Sequence, residues 1–386
     1  MSAYDVIVIG AGSVGLPTAM FLAKEKLKVL VIESHASCGQ GENKAAIGGV
    51  RATHSNPAKI KLCLESLRIF SSWADVHGGS VGWKTGGYCF PVFREAEETV
   101  LKSILPMQKQ LGLNIDWVDA EAIAEIIPGV NEAGLLGGTY SPEDGQVSPL
   151  MAAYEMHRVA ESLGCEFRFG ENVQAITTDK QRASGVITDK GNYVAPIVVI
   201  AAGPYANELG KSLGLEIPVA PDSHEAGISA PFEPFLKPLV VDLRPGPDGR
   251  SSNFYFGQNE HGAVIFCYTP STLFVGTDHR CTSEFAPSIA QRLIDLIPRL
   301  RNLLVRRLWR GLYPMTPDGF PIVGAVEEVP GLYLAVGMCG HGFMLGPGVG
   351  ANLASLIVHG KPLIDPDVFN SLSFSRDFYA GKEALK

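Results

Sequence analysis

The opening thirty-odd residues constrain the fold more than any other part of this 386-residue chain. Tyr4-Asp5-Val6-Ile7-Val8-Ile9 is a short, mostly β-branched apolar run, which predicts a buried strand. It leads into Gly10-Ala11-Gly12-Ser13-Val14-Gly15, the spacing G-x-G-x-x-G. A helical pattern follows from Leu16 to Lys24, with Ala19, Met20 and Ala23 on one face. A second apolar strand, Lys28 to Ile32, then ends on Glu33. Strand, glycine turn, helix, strand and acid in this order make one βαβ unit of the dinucleotide-binding type. Gly10 permits the tight turn, Gly12 lets a phosphate approach the backbone, and Gly15 lets the helix pack close to the strand. The free N–H groups and positive dipole end of the helix face the pyrophosphate. Glu33 falls where a carboxylate holds the ribose hydroxyls of an adenosine, and its charge opposes a 2′-phosphate there.

The rest of the composition narrows the class. A hydrophobic content of 46% is enough for a large core and two lobes. The net charge of −8 and the lack of a basic run argue against a nucleic-acid partner. No apolar run is expected to reach membrane-spanning length, and a chain entering a strand at Tyr4 leaves no room for a signal peptide. The seven cysteines are scattered, odd in number and form no C-x-x-C. They predict reduced thiols in a cytoplasm rather than a disulfide framework or a zinc site.

After Glu33 a polar, glycine-bearing loop runs from Ser34 to Gly49, a length that would cover the phosphates and ring end of a cofactor. Helices are expected over 58–77, 95–111, 119–127 and 149–163. A strand with a bend at Gly86-Gly87 is expected over 83–92, and further strands over 165–169 and 173–176. Ala183–Thr188 and Gly191–Val194 read as a hairpin-like pair. Ile197 to Gly203 is a buried strand ending in glycine, as in the closing strand of a nucleotide-binding sheet. From His224 to His279 the pattern alternates and is broken by prolines, which predicts antiparallel strands. Helices are then expected over 288–297 and 298–305, a turn at Pro314–Gly319, and a buried strand from Leu332 to Val336. That strand runs into Gly337-Met338-Cys339-Gly340-His341-Gly342-Phe343, followed by a helix from about Gly348 to His359. Nucleotide-binding pieces thus lie at both ends and in the middle. One domain is assembled discontinuously from 1–80, 145–220 and 310–386, and a second lobe, 81–144 and 221–309, is inserted twice.

Four segments carry a resemblance: the G-x-G-x-x-G with Glu33; Gly48-Gly49-Val50-Arg51; Tyr313-Pro314-Met315-Thr316-Pro317-Asp318-Gly319; and Gly337 to Phe343 with its Gly-His-Gly-Phe core. Together they resemble the FAD-dependent amine and amino-acid oxidoreductases, the family of D-amino-acid oxidase, glycine oxidase and sarcosine oxidase. Gln146-Val147-Ser148-Pro149 and Gly340 to Met344 look most like the β subunits of heteromeric sarcosine oxidase and dye-linked L-proline dehydrogenase. The resemblance implies an α/β (α+β) fold: a Rossmann-type FAD-binding domain with an inserted substrate domain on a mixed, mainly antiparallel sheet. The reaction implied is oxidation of a C–N bond in a small amino acid or secondary amine, such as proline, sarcosine or glycine, to an imine.

The residues expected around FAD are Gly10, Gly12, Ser13, Val14, Gly15, Glu33, Ser34, Asn43, Lys44, Gly48, Gly49, Val173, Ala202, Gly203, Gly311, Gly340, His341, Gly342, Phe343 and Met344. Arg51 is the candidate clamp for a substrate carboxylate, because its planar fork matches that group. His224 and Tyr255 match polar positions of the substrate site in the resembling proteins: the histidine to accept the ammonium proton, the tyrosine to bond the carboxylate. His341, between two glycines, lies by the flavin, and its loop's N–H groups face the charge of the reduced ring. Two departures matter. Met344 stands where monomeric sarcosine oxidases carry a lysine, and no lysine lies between Ser251 and Tyr268, where they carry one that assists oxygen chemistry. The expectation is a dehydrogenase handing electrons to a partner subunit, quinone or dye, with a hetero-oligomer among the expected assemblies. Gly311 replaces the anchoring cysteine of those enzymes, so FAD is expected to be non-covalent, and Cys339 to be a buried small residue. Alternative readings on the same fold are a 2-hydroxy-acid dehydrogenase and a flavin-binding subunit of a complex with weak activity alone.

Overall fold

The structure, a computed structural model, describes residues 4–385. The opening βαβ unit is the centre of a six-stranded sheet. Its order is Ile322–Ala325, Leu332–Val336, Ile197–Ile200, Val6–Ile9, Val29–Glu33 and Glu166–Phe169. Every pairing is parallel except the edge strand Ile322–Ala325, which is antiparallel to its neighbour. Consecutive side chains leave opposite faces of a strand. Val6, Val8, Val29 and Val31 join a core under the helices. Ile7, Ile9, Leu30 and Ile32 join a second core under the antiparallel sheet Val173–Asp179, Arg182–Thr188, Asn192–Val194. Burial on both faces is why these strands are apolar without interruption.

Helix Gly15–Lys24 packs against Pro149–Ser162 and against the long helix Gly342–His359, which also meets Pro57–Ser71. The approach is close enough to demand glycines. A Cβ on Gly15 would fall 1.9 Å from Gly10 O, and one on Gly346 would fall 1.9 Å from Ser13 O. Tertiary packing therefore carries this last helix six residues further N-terminal than its pattern predicts, through Pro347. The longer helix also corrects the expectation about apolar runs. Its 18 residues are apolar enough to cross a bilayer by length and composition, but 72% of them are buried inside the protein.

The second large sheet has eight strands, in the order Val305–Met315, Ala220–Ser229, Val264–Pro270, Ser251–Gln258, Leu239–Asp242, Tyr88–Val92, Gly137–Ser141, Asp116–Val118. Only Leu239–Asp242 with Tyr88–Val92 is parallel, so the sheet is mixed and mainly antiparallel. One face, with Phe254, Phe256 and Phe266, packs on helix Phe285–Leu296. A small sheet of Gly49–Val50, Gly145–Gln146 and Lys84–Thr85 lies apart from it.

Several local expectations are corrected. The helix over 58–77 is two, Pro57–Ser71 and Trp73–His77, separated where the Ser72 hydroxyl donates back to Arg68 O. The strand over 83–92 splits at Gly86-Gly87 between two sheets. The helix over 298–305 is only a 3₁₀ turn, Pro298–Asn302. Val305–Met315 is instead a strand, because ladder pairing with Ala220–Ser229 runs along its length. The seam expected at residue 310 falls inside that strand.

Candidate active site

One continuous cavity of about 800 Å³ runs from the first glycine turn to the inner face of the eight-stranded sheet. Gly10, Gly12, Ser13, Val14, Glu33 and Ser34 line one end. The space beside the Gly12 Cα is open, which leaves room for a phosphate against the backbone. Glu33 is buried, and its Oε2 accepts the Ala11 N–H at 2.8 Å while Oε1 takes His35 N and Nδ1. Each carboxylate oxygen has two lone pairs, so capacity remains for a ribose hydroxyl. These features fit the adenosine diphosphate half of FAD.

The middle is lined by Asn43, Gly48, Gly49, Val173, Ala202 and Gly203, and the far end by Gly311 and Gly340 to Met344. Asn43 is held by its amide donating to Pro149 O. Two expected cofactor residues lie elsewhere. Lys44 is exposed and outside the cavity, because the 3₁₀ turn Glu42–Ala45 aims it at solvent. Gly15 sits behind the turn, where its role is the close packing described above. Cys339 and Gly340 are both left-handed, at φ 50° and 84°. A Cβ on Gly340 would meet the Tyr313 ring at 2.2 Å, so this loop can lie flat against the cavity only with glycine there. The Cys339 thiol is buried, donates to Gly337 O and receives Thr316 N.

Strand alternation aims Val241, Tyr255, Cys267, Ala226, His224 and Tyr313 into the cavity. The Tyr255 and Tyr313 hydroxyls are 2.7 Å apart. His224 stacks on the Tyr313 ring, with centroids 3.8 Å apart, and its Nε2 lies 3.4 Å from Asp222 Oδ2. Burial would raise Asp222, but the His224 ring and the backbone N–H groups of Phe274 and Ser223 outweigh it and hold its carboxyl below the ordinary value. The carboxylate is thus ready to orient the imidazole. Burial pushes the Cys267 thiol up to about 12 and the Tyr255 phenol well above its ordinary value, so neither ionises near neutrality.

Arg51 is buried and lines the cavity. Its Nη1 lies 3.5 Å from His54 Nδ1, its Nη2 donates to Leu385 O, and its guanidinium lies over the Phe90 ring at 5.5 Å. Burial, with the Lys59 and Arg51 charges, lowers His54 well below its ordinary range. Lys59, fully buried, ion-pairs with Glu383 at 2.6 Å and reaches His341 Nδ1 at 3.4 Å. Among the described residues no group of three or more His, Cys, Asp or Glu side chains could hold a metal ion.

Sequence reasoning brought Arg51, His224, Tyr255 and His341 forward and left Asp222, Tyr313, Lys59 and Glu383 in the background. Asp222 carried a usable signal, since it stands two residues from His224 on a strand and shares its face. Tyr313 lay inside a quoted motif. Lys59 and Glu383 are 324 residues apart and carried none.

A discontinuous nucleotide cleft meeting a mainly antiparallel sheet across one cavity defines a flavin-dependent oxidoreductase fold. The profile of the family described as DAO, FAD dependent oxidoreductase, matches residues 5–356, and the chain belongs to that family. Its structure is similar to L-proline dehydrogenase from P. horikoshii, at 28% identity and a TM-score of 0.90, with 97% of each chain covered. Glycine oxidase from Geobacillus kaustophilus is similar at 25% identity and a TM-score of 0.85, with 98% of this chain and 100% of that one covered. In sequence, the glycine oxidase of Geobacillus kaustophilus strain HTA426 is 27% identical over 379 residues, 94% of this chain and 95% of that protein. The bifunctional protein ThiO/ThiG of Nostoc sp. is 28% identical over 367 residues. The chain spans about half the length of that protein, 53%.

Proposed function

We propose that this protein oxidises a small amino acid or secondary amine that carries a carboxylate, of the proline, sarcosine or glycine class, to the imine. The observation that carries the reading is the convergence of Arg51, His224, Tyr255, Tyr313 and His341 on the end of one cavity whose other end is the dinucleotide cradle. When bound, FAD would supply the hydride acceptor for the carbon next to nitrogen. The chain's own residues bind, orient and move the proton. Arg51 offers five N–H donors, two of them directed at His54 and Leu385 O, and the remainder suit a carboxylate. Tyr255, paired with Tyr313, adds a hydroxyl donor for the same group. His224, oriented by Asp222 through Nε2, accepts the ammonium proton at Nδ1 before the C–H bond is broken.

Non-covalent flavin is supported by Gly311 on the cavity wall and by Cys339, whose sulfur is engaged by Thr316 and Gly337. Acid precipitation should therefore release the yellow chromophore completely into the supernatant. A non-oxygen acceptor is supported by the lack of lysine over 251–268 and by the pairing of the Lys59 cation with Glu383, while the Arg51 cation is assigned to the substrate carboxylate. The scattered cysteines, odd in number and without a C-x-x-C, support a reducing, cytoplasmic setting.

The test is an anaerobic absorbance titration of the purified flavoprotein with L-proline, sarcosine, glycine, D-alanine and L-2-hydroxyglutarate. Bleaching by one of the amines, with slow recovery in air, is the expected result. Bleaching by the hydroxy acid alone would overturn the amine reading. Reoxidation by air as fast as by an artificial dye would overturn the choice of acceptor.

A further inference from the structure

Behind the cavity wall lies a buried charged cluster that the proposed chemistry does not use. Lys59 is the third residue of helix Pro57–Ser71 and is fully buried. A bare ammonium there would meet both a low dielectric and the positive end of a helix. Its compensation comes from the far end of the chain. The segment after helix Pro366–Asn370 is pinned by Arg376, which donates to both Asp318 oxygens and to Phe320 O. It then carries Glu383 into the cluster, where Oε2 pairs with Lys59 and Oε1 accepts from the Ser55 N–H and hydroxyl. Burial raises Glu383, but Lys59 and the Ser55 donors outweigh it and hold the carboxyl below its ordinary value, so the pair is ionised.

Lys59 also reaches His341 Nδ1, and an ammonium has donors only. Nδ1 must therefore be the acceptor nitrogen, which assigns the proton to Nε2. We propose that Lys59 and Glu383 are positioning residues that hold His341 as a neutral, Nε2-protonated imidazole, so that it serves the cavity as a hydrogen-bond donor without adding positive charge. The groups facing His341 agree in sign. Lys59 opposes protonation from one helix. The His54 ring stands edge-on at 5.1 Å from the preceding segment, itself neutral, with the Arg51 cation beside it. Tyr313 closes the loop from the sheet side. Glu383 pairs with Lys59 at 2.6 Å and lies 4.0 Å from His54 Nδ1. The benefit rests on the proposed function: an ammonium substrate would be repelled by an imidazolium at this wall and is not repelled by a neutral ring.

The test is side-chain ¹⁵N–¹H spectroscopy of the full-length, histidine-labelled flavoprotein between pH 6 and 9, with the His341 signal identified by its loss in His341→Asn. The wild type should keep the neutral Nε2–H signature across the range. The double variant Lys59→Met/Glu383→Gln removes both charges together, leaving neither buried alone, and its His341 should lose the fixed Nε2–H tautomer, the two ring-nitrogen signals moving toward each other. Lys59→Arg keeps a donor at Nδ1 and should retain the wild-type signature. A wild-type His341 that titrates in this range, or that carries its proton on Nδ1, would overturn the assignment, as would a double variant indistinguishable from wild type. In the same pH series, the pH profile of anaerobic reduction by the amine substrate should change in the double variant and stay as in wild type in Lys59→Arg. A correct tautomer in a protein that no amine reduces would refute the functional reading and leave the assignment of Lys59 and Glu383 standing.

Discussion

Gly346→Ala tests whether packing between the last helix and the first glycine turn shapes the cofactor cleft. The methyl would sit 1.9 Å from Ser13 O, a backbone atom of the loop that lines the cavity. Ordinary contact begins near 3.4 Å, so loop and helix must separate by about 1.5 Å. Overpacking against rigid backbone costs about 1–3 kcal/mol, and here the upper end applies because neither element has a flexible side chain to yield. Alanine is also a better helix former than glycine by about 1 kcal/mol. The two effects oppose each other, and the expected net loss is about 2 kcal/mol. With about 2.1 cal/mol/K per residue for unfolding entropy, that is a fall in Tm of about 2.5 °C for a chain of this size. The displaced Ser13 loop should also bind flavin at least about tenfold more weakly, since about 1.4 kcal/mol of lost contact suffices. Scanning calorimetry and the flavin-to-protein absorbance ratio after dialysis report the two effects separately. A variant with full flavin content and an unchanged or raised Tm would refute the argument, because helix propensity alone would then decide the outcome.

Other outcomes follow from the same geometry. Tyr255→Phe removes one hydroxyl from the Tyr255–Tyr313 pair and should raise KM for the amine about tenfold, a loss of about 1.4 kcal/mol, with flavin content unchanged, as steady-state kinetics would reveal. Arg376→Met leaves Asp318 buried without its partner and should destabilise the protein by about 3–5 kcal/mol, measured by denaturant unfolding. Asp144 is raised to about 7, chiefly by burial, so folding takes up a proton between its unfolded value near 4 and pH 7. Its contribution to stability therefore falls as pH rises through that window. Asp144→Asn, able to keep contacts with Ala52 N and Ser141, should abolish this slope, and unfolding midpoints at pH 5 and pH 8 would show whether it does.

The sequence was most legible where function is local. The strand, glycine turn, helix and Glu33 of the cradle lie within thirty residues, and their spacing follows from backbone geometry that phosphate binding demands anywhere. The buried strands Ile197–Ile200 and Leu332–Val336 were equally plain, because a sheet covered on both faces leaves unbroken apolar runs. His224 and Tyr255 came into view only through resemblance. The eleven-residue strand Val305–Met315 was not legible, since its exposed, arginine-rich start has no alternation and its strand character comes from pairing with Ala220–Ser229. The N-terminal third of helix Gly342–His359 was hidden by two glycines and a proline, which are poor helix formers; Gly346 among them is required because the Ser13 backbone touches it.

What the sequence by itself determined is the dinucleotide cradle, the class of fold around it and the residue types available for an amine carboxylate. Those depend on periodicity and on short-range turn chemistry, which are properties of adjacent residues. Only the tertiary structure decided which side chains meet. It set the His224–Asp222 pair against Tyr313, sent Lys44 to solvent, and brought Glu383 across 324 residues to a lysine beneath His341. Contacts of that kind are set by where strands and helices pack in space, and a buried charge has to find its partner there, since in a low dielectric it cannot stand alone.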